Sequence, residues 1–145
     1  MNESFFIRVL AELKRESKCV SRQVSALIVK DGRIISTGYN GTLKGAPNCC
    51  DVHNPDSFDR EEHHTWSLMN EIHAEQNAIA VAAKTGIGLG GCVCYCSLQP
   101  CNTCLLLLIQ AGIREIVYVD AYDKCNWSPG LMRTVRDLGI VIRQI

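Results

Sequence analysis

The sequence predicts an α/β fold, and three observations predict it. From residue 71 onward the pattern alternates helix, strand, helix, strand, helix, strand, as parallel strands joined by covering helices do. Ahead of that alternation, residues 24–29 and 33–39 read as strands around Lys30-Asp31-Gly32. Its Asp-Gly step is a strong hairpin signal, so this pair is expected to be antiparallel. The length of 145 residues supports one core and is too short for two, which predicts a single domain over 1–145.

Each element has its own cause. Residues 4–18 place Phe5, Phe6, Val9, Leu10 and Leu13 close to helical spacing, with Ser4 as candidate N-cap. After the hairpin, residues 40–70 are polar, carry histidines and cysteines, and read as irregular. A connection that long is usually functional or pinned by something. Residues 71–84, rich in Ala, Glu and Gln, predict a helix capped by Asn70, with Gly86 beyond its end. A strand over 92–98 follows a glycine-rich turn. Pro100 opens a helix running to about Ala111, and Gly112 ends it. A strand over 115–119, a helix over 129–138 and a last strand over 140–145 complete the chain.

Composition narrows the function. Fifteen basic and fifteen acidic residues cancel, and no Lys/Arg cluster marks a nucleic-acid surface, which argues against a polynucleotide partner. The apolar runs 26–29 and 105–109 are too short to cross a bilayer. The opening MNESFFIRVLAELKRESK lacks a basic start followed by an apolar block, so no secretory signal and a cytoplasmic location are expected. Nine cysteines in a reducing compartment leave metal ligation, nucleophilic chemistry or burial rather than disulfides.

Two segments carry candidate chemistry. One is Asn70-Glu71-Ile72-His73-Ala74-Glu75, the other Gln99-Pro100-Cys101-Asn102-Thr103-Cys104, each at the start of an expected helix. Cys101 and Cys104, three apart, can clasp one ion, and a helix N-terminus favours their thiolates. His73 adds a third ligand. Three protein ligands with an open fourth position is the pattern of a catalytic zinc, whereas structural sites are closed by four. Zinc there lowers the pKa of water from 15.7 to about 7, and Glu75 is the candidate proton shuttle. His73 and Glu75 lie about 200° apart on an ideal helix, so serving one ion requires it to sit beyond the first turn. Pro-Cys-x-x-Cys alone reads equally as a structural knuckle or a redox pair. His-x-Glu followed by Pro-Cys-x-x-Cys is the signature of the zinc deaminases.

Over nearly its whole length the sequence resembles the deoxycytidylate deaminases, through GRIISTGYNGT (32–42), NEIHAEQNAI (70–79), PCNTC (100–104) and IQAGIREIVY (109–118). The resemblance implies a three-layer α/β/α architecture around a five-stranded mixed sheet, usually in a homohexamer. It implies hydrolytic deamination of dCMP to dUMP and ammonia, feeding thymidylate synthesis, with dCTP (and Mg2+) activating and dTTP inhibiting. His73, Cys101 and Cys104 become the zinc ligands and Glu75 the proton shuttle. Asn40 becomes the deoxyribose contact, and Tyr122 and Ala74 line the base pocket.

Short phage-type members carry a second, structural zinc, for which Cys19, Cys49, His63 and Glu71 are the matching positions; His53, His64 and Cys50 are neighbours that could substitute. The family's usual Val-Gly-Ala is Val24-Ser25-Ala26 here, and the proline common after Tyr-Asn-Gly is absent, the chain reading Thr42-Leu43-Lys44-Gly45. No compact motif marks the phosphate. Arg22 and Lys44 are candidates by proximity, and Lys84 by its place near a helix end, beside the plainer reading that all three are solvated surface charges. Cys92, Cys94 and Cys96 alternate on one strand face and read as core. Trp66 and Trp127 read as packing or base-stacking groups.

The rival activities are deamination of a nucleoside, cytosine, guanine or tRNA adenosine, and, from another class, an idle zinc-binding module. Glu75 separates the last, since a binding module has no use for an acid beside an open zinc position.

Overall fold

The computed structural model describes residues 2–145. Five strands, β1 (Ser25–Lys30), β2 (Arg33–Tyr39), β3 (Val93–Leu98), β4 (Glu115–Asp120) and β5 (Val141–Gln144), form one sheet in the order β2-β1-β3-β4-β5. β1 runs antiparallel to both β2 and β3, and β3, β4 and β5 are mutually parallel. The expected hairpin followed by parallel strands is therefore present.

Both faces of the sheet are covered, which explains why β1 reads Ser-Ala-Leu-Ile-Val rather than alternating with polar residues. On one face, Leu27, Val29, Tyr95 and Val117 pack against Phe6 and Leu10 of helix α1 (Glu3–Leu13). On the other, Ala26, Ile28, Cys94, Cys96 and Ile116 meet Ala74, Ala78 and Ala82 of α4 (Ala74–Thr85) and Leu105 and Leu108 of α5 (Asn102–Gln110). Helix α6 (Pro129–Asp137) adds Leu131 and Met132 to the same side. Cys92, Cys94 and Cys96 are fully buried there, as small apolar groups.

The seat of α4 matters most for function. A Cβ on Gly38 of β2 would collide with the Ala74 carbonyl oxygen and lie 2.6 Å from the Ala78 nitrogen, so the helix backbone rests directly on the strand. Ser36 reinforces the contact by donating to the Ala78 carbonyl at 2.6 Å. Ser25, where the family usually has glycine, is fully buried and donates to the Leu10 carbonyl at 2.7 Å, tying β1 to α1.

Several boundaries differ from the sequence-based expectation. The first helix ends at Leu13, with a 3-10 turn over Lys14–Glu16, and its N-cap is Asn2, whose side chain accepts from the Ser4 N–H. The stretch 40–70 is not irregular throughout. It holds the short helix α2 (Cys49–Val52) and the three-turn helix α3 (Arg60–Asn70), whose N-cap Asp59 accepts from the Glu62 N–H at 2.8 Å. Asn70 ends α3 instead of capping α4. Glu71, Ile72 and His73 form an extended link, with Ile72 bridged to Gly41 by two backbone hydrogen bonds.

Candidate active site

His73 is the N-cap of α4, held in extended conformation while its backbone N–H donates to the Gln76 side chain at 2.9 Å. That position meets the geometric condition set by the His-Ala-Glu spacing. The histidine lies outside the helix and the glutamate inside its first turn, so the helical angle between them does not apply. Cys101 likewise caps α5, its sulfur accepting from the Cys104 N–H at 3.5 Å. The two helix N-termini bring partial positive charge to the sulfurs.

The separations fit a zinc ion. Tetrahedral zinc at about 2.3 Å from sulfur and about 2.0 Å from nitrogen sets sulfur and nitrogen about 3.5 Å apart. His73 Nδ1 lies 3.5 Å from Cys101 Sγ and 3.3 Å from Cys104 Sγ. The hydrogen bond from the Cys104 thiol, with one from His73, holds Cys101 down at about 4, and the same contact with Cys101, together with burial, pushes Cys104 up. His73 is pushed up, first by its hydrogen bond to Cys101. Glu75, only 4% exposed, has its carboxyl pushed up by burial. A buried carboxyl that gains from holding a proton, beside three ligands with no fourth, suits proton transfer.

A second cluster lies alongside. Cys19 Sγ and Cys49 Sγ are 3.6 and 3.3 Å from His63 Nε2, and Glu71 Oε1 is 3.5 Å from Cys19 Sγ and 3.4 Å from His63 Nε2. All four positions matched by resemblance therefore converge, with ligand atoms within 4.8 Å of one another. His53 Nδ1 stands back at 3.9 Å from Cys49, while Cys50 and His64 are exposed and outside the cluster. Burial pushes Cys49 up to about 12, raises Cys19 and lowers His63. The second carboxylate oxygen of Glu71 is buried without a hydrogen-bond partner. Two thiols, an imidazole and a carboxylate are donor types that zinc takes, so the set fits a cation.

Both clusters border one cleft of about 370 Å3, within the roughly 300–1,000 Å3 of small-molecule sites. His73, Ala74, Glu75, Cys101, Asn40, Tyr122 and Arg22 all line it. Asn40 spends its amide on the backbone, Nδ2 donating to the Arg22 carbonyl at 2.8 Å and Oδ1 accepting from the Val24 N–H at 2.9 Å. Tyr122 is anchored through its N–H to Gln99 Oε1 at 3.0 Å. Lys44 and Lys84 are exposed and do not line this cleft. Trp127 packs, donating to the Pro100 carbonyl at 3.1 Å, and Trp66 lies against His53.

The model of the cytidine and deoxycytidylate deaminase zinc-binding region matches residues 1–120. The chain belongs to the cytidine and deoxycytidylate deaminase family. It is 38% identical to the deoxycytidylate deaminase of Enterobacteria phage T4, with 98% of this chain and 89% of the phage protein aligned. Among solved structures it superposes on the dCMP deaminase of cyanophage S-TIM5, in complex with dCMP and dUMP, with a TM-score of 0.76 and 26% identity. That match covers 99% of this chain and 96% of the other. The guanine deaminase of Nitrosomonas europaea, at 19% identity and a TM-score of 0.61 over 95% of this chain and 74% of its own, shares the fold. This deaminase-family chain thus carries a Cys/His set for a metal in the five-stranded mixed sheet expected of it.

Sequence reasoning missed Ser21, Arg60, Ser67, Gln99 and Lys124 in the cleft lining, and it named His64 only as a substitute metal ligand. They come from four separate segments and share no spacing. For Arg60, the Asp59 helix start was the one local signal.

Proposed function

We propose that this chain hydrolyses dCMP to dUMP and ammonia, using zinc held by His73, Cys101 and Cys104 and proton transfer by Glu75. The observation that carries the reading is the three-ligand set and buried Glu75 opening on one cleft, in a chain alignable to phage dCMP deaminases along nearly all its length. Zinc supplies Lewis acidity, which makes water a competent nucleophile near neutral pH. Glu75 takes a proton from that water and passes it to the ring nitrogen next to C4. The C–O bond forms at C4, and as the C–N bond breaks the same carboxyl takes the remaining proton of the former water from the new C4 hydroxyl and delivers it to the amino group, which leaves as ammonia. Ala74, at the buried start of α4, and Tyr122 hold the base, and Asn40 shapes the deoxyribose side of the cleft.

The cluster of Cys19, Cys49, His63 and Glu71 holds a second zinc as a closed, structural site; its four converging donors and the orphaned Glu71 oxygen support this. The chain works as one domain in a homohexamer, in the cytoplasm, supplying dUMP for thymidylate synthesis. Exposed Leu106 and Leu107 on α5 and Val81 on α4 offer apolar surface for such association. The family resemblance supports activation by dCTP with Mg2+ and inhibition by dTTP. No helix among the described residues is long and apolar enough to cross a membrane.

Ammonia release from dCMP, CMP, dCTP, deoxycytidine and cytosine, assayed in parallel, tests the substrate. The highest kcat/KM is expected on dCMP. Release from guanine and from none of these five would overturn the reading.

A further inference from the structure

Ser17 caps the 3-10 turn that follows α1 and is buried, yet each of its polar groups has a partner. Its N–H donates to the Lys14 carbonyl at 3.1 Å, and its carbonyl accepts from Gln23 Nε2 at 2.9 Å. Its hydroxyl accepts from the Cys19 N–H at 3.3 Å and donates to the Asn40 carbonyl at 2.8 Å. A buried hydroxyl engaged both as donor and as acceptor is fixed in direction.

The Asn40 carbonyl shares its peptide unit with the Gly41 N–H, which donates to the Ile72 carbonyl at 3.1 Å. The Ile72 N–H returns to the Gly41 carbonyl at 2.7 Å. The C=O and N–H of a trans peptide point in opposite directions, so Ser17 and Ile72 grip this one unit from opposite sides. Ser17 lies two residues before Cys19, and Ile72 directly follows Glu71. Cys19 Sγ and Glu71 Oε1 are 3.5 Å apart in the second cluster. The contacts therefore close a ring, from Cys19 through Ser17, the Asn40–Gly41 peptide, Ile72 and Glu71 back to Cys19. The cluster forms one side of the ring, and Asn40, which lines the cleft, forms the other. The Asn40 amide carries the constraint onward, to the Arg22 carbonyl and the Val24 N–H. Released on its Ser17 side, the peptide unit is free to turn about its Ile72 bonds, and the Asn40 side chain turns with it.

We propose that Ser17 is a positioning residue that couples the second cluster to the Asn40 wall of the cleft, so that filling the cluster tightens nucleotide binding without entering the chemistry. The inference rests on the proposed deamination of dCMP and on the second zinc, and goes beyond both by giving the cluster a route to the cleft.

The test measures kcat and KM for dCMP, dUMP affinity by calorimetry, and zinc per chain. It compares the zinc-loaded wild type with Ser17→Ala, Ser17→Thr, Cys49→Ala and the double variant Ser17→Ala with Cys49→Ala. Cys49 belongs to the cluster and does not line the cleft. If its alanine variant does not fold, Cys49→Asp, which keeps an oxygen donor for zinc, takes its place. Ser17→Ala should keep the wild-type zinc content and a kcat within about twofold. KM for dCMP and Kd for dUMP should each rise about 3- to 10-fold, the scale of one lost hydrogen bond. Ser17→Thr keeps the hydroxyl and should regain part of that loss. Cys49→Ala should weaken dUMP binding alone but add less than about twofold to Ser17→Ala, because both act through one ring. Wild-type dUMP affinity in Ser17→Ala, even with a lowered melting temperature, overturns the positioning role. Unchanged dUMP affinity in Cys49→Ala, or losses that multiply in the double variant, overturn the coupling. A wild type that binds dUMP but releases no ammonia from dCMP overturns the proposed reaction alone, and the dUMP titrations still decide Ser17. One that does neither overturns both.

Discussion

His73 and Glu75 sit two residues apart and face one locus because the helix begins between them. Had α4 started at Glu71, the helical angle would have turned the two side chains away from each other. The extended link Glu71-Ile72-His73 prevents this and gives its first residue to one cluster and its last to the other. Glu75→Gln keeps the shape and the three ligands but removes the proton acceptor. Turnover of dCMP should drop by about 10³-fold or more while zinc content stays at the wild-type level, measured by ammonia release and metal analysis. At this scale the sequence was legible where chemistry follows short spacing. His-x-Glu and Pro-Cys-x-x-Cys announced the four residues that the structure brings together. Arg60 and Lys124 were not legible, because their relation to the site is made by tertiary closure alone.

Elements place those residues through backbone contact as much as through side chains. Gly38 lets α4 lie on β2, and that contact sets where Ala74 and Glu75 start. Gly38→Ala inserts a methyl group against the Ala74 carbonyl and the Ala78 nitrogen, with backbone atoms as the obstacle. A loss of about 1–3 kcal/mol or more in stability is expected, with weakened dCMP turnover, read by thermal melting and ammonia release. Glycine in Thr37-Gly38-Tyr39 gave no sequence-level hint of this, since a strand glycine has many causes. The alternation of elements was legible because each strand is short, apolar and bounded by glycine or proline. Helix α3 was not. Its sequence Arg-Glu-Glu-His-His-Thr-Trp-Ser-Leu-Met-Asn lacks an apolar stripe, and only His63 in it is buried. What organises it is the cluster it feeds, which no periodicity records.

Across the whole molecule, the second cluster joins segments that would otherwise be independent. Cys19 follows the first helical region, Cys49 opens α2, His63 sits in α3 and Glu71 precedes α4. The proposed second zinc would secure the long connection that forms one wall of the cleft, so catalysis and folding are expected to share a dependence on zinc. The buried Glu71 oxygen that has no hydrogen-bond partner is the feature that disfavours the cluster without a cation. The most direct test follows ammonia release from dCMP while zinc is returned to chelator-stripped protein and counted per chain. The account predicts no turnover in the stripped protein, full recovery on zinc addition, and two zinc ions per chain at full activity. Undiminished turnover after zinc removal, or zinc-loaded protein that releases no ammonia from dCMP, would contradict it.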